Sequence, residues 1–283
     1  MTDQAGSFER PASLTALSVT LQRAAHLVLD EPPPVLDDPL AIRLLGPDAR
    51  SRILAEAGRL RSPRALAFRS HVLVRSRFAE DVLEESAVAG VRQFVSLGAG
   101  MDTFACRQPG WARDLHLFEV DHPASQSAKR KRLAAARIEE PANLSFVPVD
   151  LELDPLAGRL AEAGFDLAAP AVVSCLGVVM YLQPETAGRI FEFAGKLAQG
   201  SRFVLTFTRP AMPGEDGLGE RAARVGEPWH TRMEPEELRG KLLGLGFREV
   251  SFPGSTGAIE RYFRDRRDGL TAPRSMNIAV ASV

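Results

Sequence analysis

The apolar positions of residues 12–86 recur at helical spacing, and this region contains no strand-like run. A proline-rich break at Glu31–Pro34 interrupts the pattern. Ser62 followed by Pro63 predicts the start of a longer helix, whose broad apolar face continues for about twenty residues. We therefore predict an N-terminal helical cap or subdomain over residues 1–89.

Beyond residue 90 the pattern changes to short apolar runs that alternate with helical segments, as is typical of parallel β-α-β units. The predicted strands are Gln93–Leu97, Leu115–Val120, Leu144–Val149, Ala171–Cys175 and Phe203–Phe207. The predicted helices between them are Pro123–Ile138, Pro155–Ala163 and Pro184–Ala198. Each of these helices opens with proline, which is favoured in a first helical turn. The fold class is therefore α/β, with a Rossmann-like, mostly parallel sheet.

The C-terminal part departs from this alternation. After a predicted helix over Pro235–Leu245, two strand-like runs, Arg248–Phe252 and Met276–Val283, follow without a long crossover helix. Such runs predict an antiparallel pair at a sheet edge, which gives a seven-stranded sheet within a domain over residues 90–283. Residues 209–233 are rich in Gly, Pro and acidic residues and predict a lid or insertion over the site.

The net charge and the cysteine and histidine content of the chain limit the partners and metals that we expect. The 283 residues carry 35 Lys and Arg against 36 Asp and Glu, so a net charge of -1 provides no basic field for nucleic acid. Cys106 and Cys175 lack a CxxC partner, and the five histidines have no ligand spacing, so we expect no disulfide and no metal. Neither a signal peptide nor a membrane span is evident, which predicts a cytoplasmic protein without a membrane partner. The oligomeric state stays open.

The first predicted strand ends in a glycine turn at residues 97–102, LGAGMD. Open parallel sheets bind ligands beyond the carboxyl ends of their strands, and Gly98 and Gly100 allow the backbone to approach a ligand closely. A dinucleotide site would need a third glycine where Thr103 stands, and Asp102 would place a negative charge where a pyrophosphate lies. Phosphate binding is therefore disfavoured, and a cofactor without phosphates, with a cationic centre and an amino-acid tail, is compatible with these residues.

Acidic side chains follow the next two predicted strands. Asp121 ends the second strand and can accept hydrogen bonds from both hydroxyls of a ribose, with Glu119 on the same face as the competing candidate. Asp150 ends the third strand and can accept from the exocyclic amine of adenine, while Leu151 contacts the ring. A glycine turn and two acids at three strand ends together indicate a nucleoside site.

The order of these motifs resembles class I S-adenosylmethionine-dependent methyltransferases of the leucine carboxyl methyltransferase type, with their bacterial O-methyltransferase relatives. The matching segments are DPLA at 38–41, VRSRF at 74–78, LGAGMD at 97–102, FEVDHP at 118–123, FVPVDL at 146–151, VMYLQPE at 179–185, GEPW at 226–229, EPEEL at 234–238 and GF at 246–247. The resemblance covers nearly the whole chain. It implies the class I methyltransferase fold and S-adenosyl-L-methionine as cofactor, with S-adenosyl-L-homocysteine as product.

The resemblance also implies the roles of individual side chains. The implied cofactor-binding positions are Arg75, Gly98, Gly100, Asp121, Asp150, Leu151 and Leu176. Arg75 would pair with the methionine carboxylate of the cofactor, since a guanidinium binds a carboxylate through two hydrogen bonds, and Arg77 is the alternative. Many relatives have a glutamate where Leu176 stands, so cofactor affinity or the acceptor pocket is expected to differ here.

The acceptor side is less defined by the sequence. Candidate residues there are Tyr181, Arg209, Trp229, His230 and Arg232. Arg209 could clamp an anionic acceptor, the Tyr181 hydroxyl could reach the site, and His230 could act as a base. A carboxylate acceptor is already ionised at neutral pH and needs no base, whereas an alcohol or phenol usually does.

The function predicted from these residues is O-methylation of a carboxylate, on a small molecule of natural-product type or at a peptide C-terminus. Three alternatives stay open: a hydroxyl or phenol acceptor with His230 as base, a cofactor-binding module without turnover, and an NAD-dependent oxidoreductase. Thr103 and Asp102 disfavour the last of these.

Overall fold

A computed structural model of the chain describes residues 14–210, 217–224, 226–255, 259–273 and 277–283. Its strands are β1 (Gln93–Leu97), β2 (His116–Asp121), β3 (Leu144–Pro148), β4 (Ala171–Cys175), β5 (Arg202–Thr206), β6 (Glu249–Ser251) and β7 (Ile278–Ser282). Its helices are α1 (Leu14–Leu29), α2 (Pro39–Leu44), α3 (Ala49–Ala55), α4 (Ala57–Leu60), α5 (Pro63–Val88), α6 (Phe104–Arg107), α7 (Pro123–Ala135), α8 (Leu156–Glu162), α9 (Pro184–Gly195), α10 (Gly217–Arg224) and α11 (Pro235–Gly244).

The seven strands form one sheet in the order β3-β2-β1-β4-β5-β7-β6. β1 to β5 run parallel, and β7 is antiparallel to both β5 and β6. The order of the strands reverses between β1 and β4, and the crevice beyond the carboxyl ends of these strands is where open α/β sheets bind ligands. The predicted seven-stranded, mostly parallel sheet with an antiparallel edge is confirmed.

Helix α5 connects the helical N-terminal region to the sheet. Its residues Leu73 and Val74 pack in one apolar cluster with Val204 of β5 and with Ile278 and Val280 of β7. Helices α1 to α4 contribute most of a smaller apolar cluster of their own. Helix α5 lies within the predicted cap and ends at Val88, just before the predicted boundary at residue 89, yet it packs into the core of the sheet. Residues 1–13 of the predicted cap lie outside the described residues.

Helix α7 ends earlier than the sequence pattern predicts. Its last residue is Ala135, whereas the pattern predicts helix to Ile138. Arg137 adopts a φ of 52°, and the Ile138 N–H donates to the Leu133 carbonyl at 2.9 Å. A left-handed residue followed by this bond is the usual way in which a helix closes, so the apolar Ile138 belongs to the closing turn.

The predicted lid over residues 209–233 contains α10, a helix that the sequence pattern did not predict. Residues 211–216 and 225 of that stretch lie outside the described residues, as does Met276 at the start of the last predicted strand. Among the helices that are described, none is both long enough and apolar enough to cross a lipid bilayer.

Candidate cofactor and acceptor site

A cleft of about 880 Å³ opens at the carboxyl ends of β1 to β4. Helices α1 and α5 contribute to its walls, together with residues 226–228 and His230. The Thr15 hydroxyl on α1 donates a hydrogen bond to the carboxylate of Glu227, which joins these two parts. The residues predicted from sequence that line this cleft are Arg75, Gly98, Gly100, Asp121, Asp150, Leu151, Leu176, Tyr181 and His230.

The glycine turn after β1 has a conformation that other residues rarely adopt. Gly98 and Gly100 have φ values of 64° and 52°. A β-carbon on Gly98 would lie 2.3 Å from Cγ2 of Val178, so the chain on the β4 side of the cleft packs directly on this glycine. The turn therefore requires glycine for both its backbone torsions and its packing, and it leaves backbone groups exposed to a ligand.

The carboxylate of Asp121 is oriented by the backbone around it. It accepts hydrogen bonds from the N–H groups of Gly100 at 2.5 Å and His122 at 2.7 Å. Burial raises the pKa of Asp121 above its usual value, although these two hydrogen bonds oppose the shift. Each carboxylate oxygen keeps acceptor capacity for a further donor, as binding of a ribose diol requires.

Asp150 is held in a tight turn beyond β3. One of its oxygens accepts the Glu152 N–H at 3.0 Å, and its own N–H donates to Asp154 at 2.7 Å. Glu152 in turn accepts the Gln183 N–H at 2.9 Å, just before α9. This turn fixes Asp150 in the cleft wall, with the other carboxylate oxygen 3.9 Å from Nε2 of His122.

The guanidinium of Arg75 lines the cleft without a counterion among the described residues. It forms no ion pair or hydrogen bond with any residue that the structure describes, and its buried Nε is without a partner. Gly177 makes room for it, because a β-carbon there would lie 2.6 Å from Nη1. Burial and the nearby charge of Arg23 lower the pKa of Arg75 to about 10, so it stays positive at neutral pH. An unpaired cation in such a position fits an anionic ligand group.

The cleft therefore fits the cofactor that the resemblance implies. An unpaired guanidinium suits the carboxylate of an amino-acid tail, the glycine turn suits close contact with a thioether and ribose, and two oriented carboxylates suit a nucleoside. Within the described ranges, no group of three or more His, Cys, Asp or Glu side chains could hold a metal ion.

Two of the competing cofactor candidates lie elsewhere. Glu119 is buried beneath the end of β2, where it pairs with Lys129 of α7, and it does not line the cleft. Arg77 is partly exposed and pairs with Asp81 at 2.7 Å on the outer side of α5. Helical periodicity places Arg77 on another face of α5, because it is two residues from Arg75. Strand periodicity places Glu119 on the same face as Asp121, but its pairing with Lys129 beneath α7 keeps it out of the cleft.

The acceptor candidates also divide into residues that line the cleft and residues that lie outside it. His230 is an exposed residue that lines the cleft, and its N–H donates to the Met180 carbonyl at 2.7 Å. Trp229 and Arg232 stack on each other at 5.4 Å outside the cleft lining. Arg209 is half exposed and 4.0 Å from Glu234. Arg209 is not among the described residues that line the cleft, and its role as a clamp stays a prediction.

Arg23 of α1 was missed by the sequence reasoning. It is buried, donates to the Met101 carbonyl at 2.6 Å and lies 3.2 Å from the carboxylate of Asp102. Its signal is an arginine within an otherwise apolar helical segment, since a buried arginine requires acceptors from elsewhere in the chain. Arg23 thereby connects the helical N-terminal region to the glycine turn.

Comparison with known proteins agrees with this geometry. The family model of leucine carboxyl methyltransferase matches residues 16–195. A Frankia alni protein, provisionally named as an S-adenosyl-L-methionine-dependent methyltransferase, is 35% identical over 263 residues, which cover 89% of this chain and 88% of that protein. A Mycolicibacterium smegmatis protein with the same provisional name is 34% identical over 260 residues, covering 88% and 82%.

Two solved structures share the fold at low identity. A provisionally named methyltransferase from Thermobifida fusca has a TM-score of 0.58 at 19% identity, with 98% of this chain and 96% of that chain covered. A DUF574 family protein from Streptomyces avermitilis has a TM-score of 0.55 at 19% identity, with 92% and 96% covered. At this identity the likeness concerns the fold alone.

Proposed function

Since this chain belongs to the leucine carboxyl methyltransferase family and is an S-adenosylmethionine-dependent methyltransferase, we propose that it methylates an oxygen atom of a small-molecule acceptor. When bound, the cofactor supplies a methyl group already activated on a sulfonium. The residues of this chain then have to bind, orient and enclose the reactants, which can lower the barrier by about 7–11 kcal/mol.

The cofactor-binding assignment follows the geometry of the cleft. Arg75 would bind the methionyl carboxylate, Asp121 the ribose hydroxyls, and Asp150 with Leu151 the adenine. The turn containing Gly98 would lie against the thioether. The observation that supports this arrangement best is the unpaired guanidinium of Arg75 in the same cleft as the glycine turn and the two acids.

We favour an alcohol or phenol as the acceptor, one of the alternatives predicted from the sequence. The arginines that line the described part of the cleft are Arg23, which already binds Met101 and Asp102, and Arg75, which the cofactor carboxylate would occupy. A carboxylate acceptor would therefore lack an arginine or lysine partner there. His230 lines the same cleft, and an imidazole readily accepts the proton that a hydroxyl loses on methylation.

A carboxylate acceptor, the main prediction from the sequence, is the second candidate. The family model that matches this chain is described by carboxyl methylation, which supports this class. The two candidates differ chemically, because a methyl ester releases methanol in alkali whereas a methyl ether is stable. They also differ in their need for a base, since a carboxylate needs none at neutral pH.

Tritiated S-adenosylmethionine and a panel of small phenols, alcohols and carboxylic acids would distinguish these acceptors. We expect alkali-stable label, and we expect His230→Ala to lower kcat by about 10²–10⁴-fold while the affinity for S-adenosylhomocysteine is retained. The exposed Glu234→Ala, outside the cleft lining, is the control. Alkali-labile label with an unchanged kcat in His230→Ala would favour the carboxylate. Binding of the cofactor product without any labelled acceptor would favour a module without turnover.

Replacement of Asp121 by Ala should weaken binding of S-adenosylhomocysteine by about 1–3 kcal/mol, because the ribose hydroxyls lose their acceptor. Titration calorimetry measures this change. Asp114→Ala removes an exposed carboxylate outside the cleft and should leave the affinity unchanged. Equal affinities of the Asp121→Ala variant and the wild type would remove Asp121 from the ribose site.

A further inference from the structure

Six charged side chains form a connected group beside the cleft, which we call the charged wall. Its members are Arg23, Asp38, Arg75, Glu80, Asp102 and Arg107. Arg107 pairs with Glu80, and Arg23 lies 3.4 Å from Asp38 and 3.2 Å from Asp102. Five members therefore have an ion-pair partner within the wall, and Arg75 does not.

Asp102 is the acid of this wall that is most open to the cleft. One oxygen accepts the Phe104 N–H at 2.7 Å, and the other faces Arg23. Its side chain is 29% exposed, whereas those of Glu80 and Asp38 are 17% and 0% exposed. Burial raises the pKa of Asp102, but the charges of Arg23, Arg107 and a nearby lysine outweigh this effect and lower it. Asp102 is therefore an ionised acceptor with free capacity towards the cleft.

The charge balance of the wall favours a zwitterionic ligand. The three arginines offset the three acids, so the wall is neutral before a ligand binds. A simple anion on Arg75 would leave one uncompensated negative charge in a site partly shielded from water, which is costly. A ligand that adds one carboxylate and one ammonium group leaves the wall neutral.

We propose that Asp102 binds the α-ammonium group of the methionyl tail, so that Asp102 and Arg75 together select a zwitterionic amino-acid tail. This inference rests on the proposed function for the identity of the cofactor. The other acid of the wall that lines the cleft, Glu80, is engaged by Arg107. Leu176, which follows β4 and also lines the cleft, offers no charge to the ammonium group.

Three nucleoside thioethers test this assignment by titration calorimetry, without turnover. They are S-adenosylhomocysteine, the analogue without its amino group, and the analogue without its carboxyl group. The wild type should bind the first compound roughly ten- to hundredfold more tightly than the second. Asp102→Asn should weaken the binding of S-adenosylhomocysteine by a similar factor and leave the affinity for the analogue without the amino group unchanged. Arg75→Met should instead leave the affinity for the analogue without the carboxyl group unchanged.

Asp102→Ser serves as a second variant, because its hydroxyl can still accept the Phe104 N–H if the amide disturbs the turn. Asp114→Asn is the control for removal of an acid. Equal weakening of S-adenosylhomocysteine and of the analogue without the amino group in the Asp102 variants would overturn the inference, since it would indicate that Asp102 only supports the turn. Failure of the wild type to bind S-adenosylhomocysteine would instead contradict the proposed cofactor site.

Discussion

Replacement of Arg75 by Met should weaken binding of S-adenosylhomocysteine by about 2–5 kcal/mol, the largest loss expected from any single side chain of the site. Methionine fills a similar volume but cannot bind a carboxylate. The ligand carboxylate would then share the cleft with Glu80 and Asp102 without the positive charge of Arg75. Calorimetry with the cofactor product measures the effect without need for an acceptor.

Arg77→Met is the matched control, because it removes an arginine from the same helix outside the cleft lining. Its pair with Asp81 is partly exposed, and such pairs contribute at most about 1 kcal/mol to stability. The affinity of this variant for the product should equal that of the wild type. If Arg75→Met binds S-adenosylhomocysteine normally and Arg77→Met binds it more weakly, Arg77 rather than Arg75 binds the carboxylate.

Gly98→Ala should lower the free energy of unfolding by about 2–5 kcal/mol and abolish detectable cofactor binding. The added methyl group would lie 2.3 Å from Val178, and an alanine would have to adopt a φ of 64°. Both effects displace the turn that contacts the ligand. Thermal or urea unfolding, together with calorimetry, measures the two losses.

Gly90→Ala separates the backbone effect from the packing effect. Gly90 also has a positive φ, of 101°, but a β-carbon there would meet no atom within 4 Å. We expect this variant to lose stability while the affinity for S-adenosylhomocysteine is retained. Full cofactor affinity in Gly98→Ala would show that Val178 moves away freely and that the turn is not a close-contact site.

The positions of the strands could be predicted from the sequence because buried parallel strands are short, continuous apolar runs. β1 and β4 have the predicted bounds, and no end of the other strands differs from its predicted position by more than two residues. The glycine turn and the acids at strand ends follow directly from those bounds. For this reason the sequence alone predicts that Gly98, Asp121 and Asp150 lie at one edge of the sheet.

The parts that could not be predicted depend on contacts between distant segments. Arg209 lies three residues beyond the end of β5, but the distance of a strand end from the cleft depends on the order of the strands in the sheet. Arg23 and Asp102 are 79 residues apart, and their contact depends on how α1 packs against the turn. Local pattern specifies the elements, whereas these pairings arise from the tertiary arrangement.

The hydrogen bond between Thr15 and Glu227 joins positions that are 212 residues apart. Both residues line the cleft, so one of its walls exists only while the helical N-terminal region and the segment around Glu227 are in contact. A ligand that fills the cleft would contact both segments and would therefore oppose their separation by mass action.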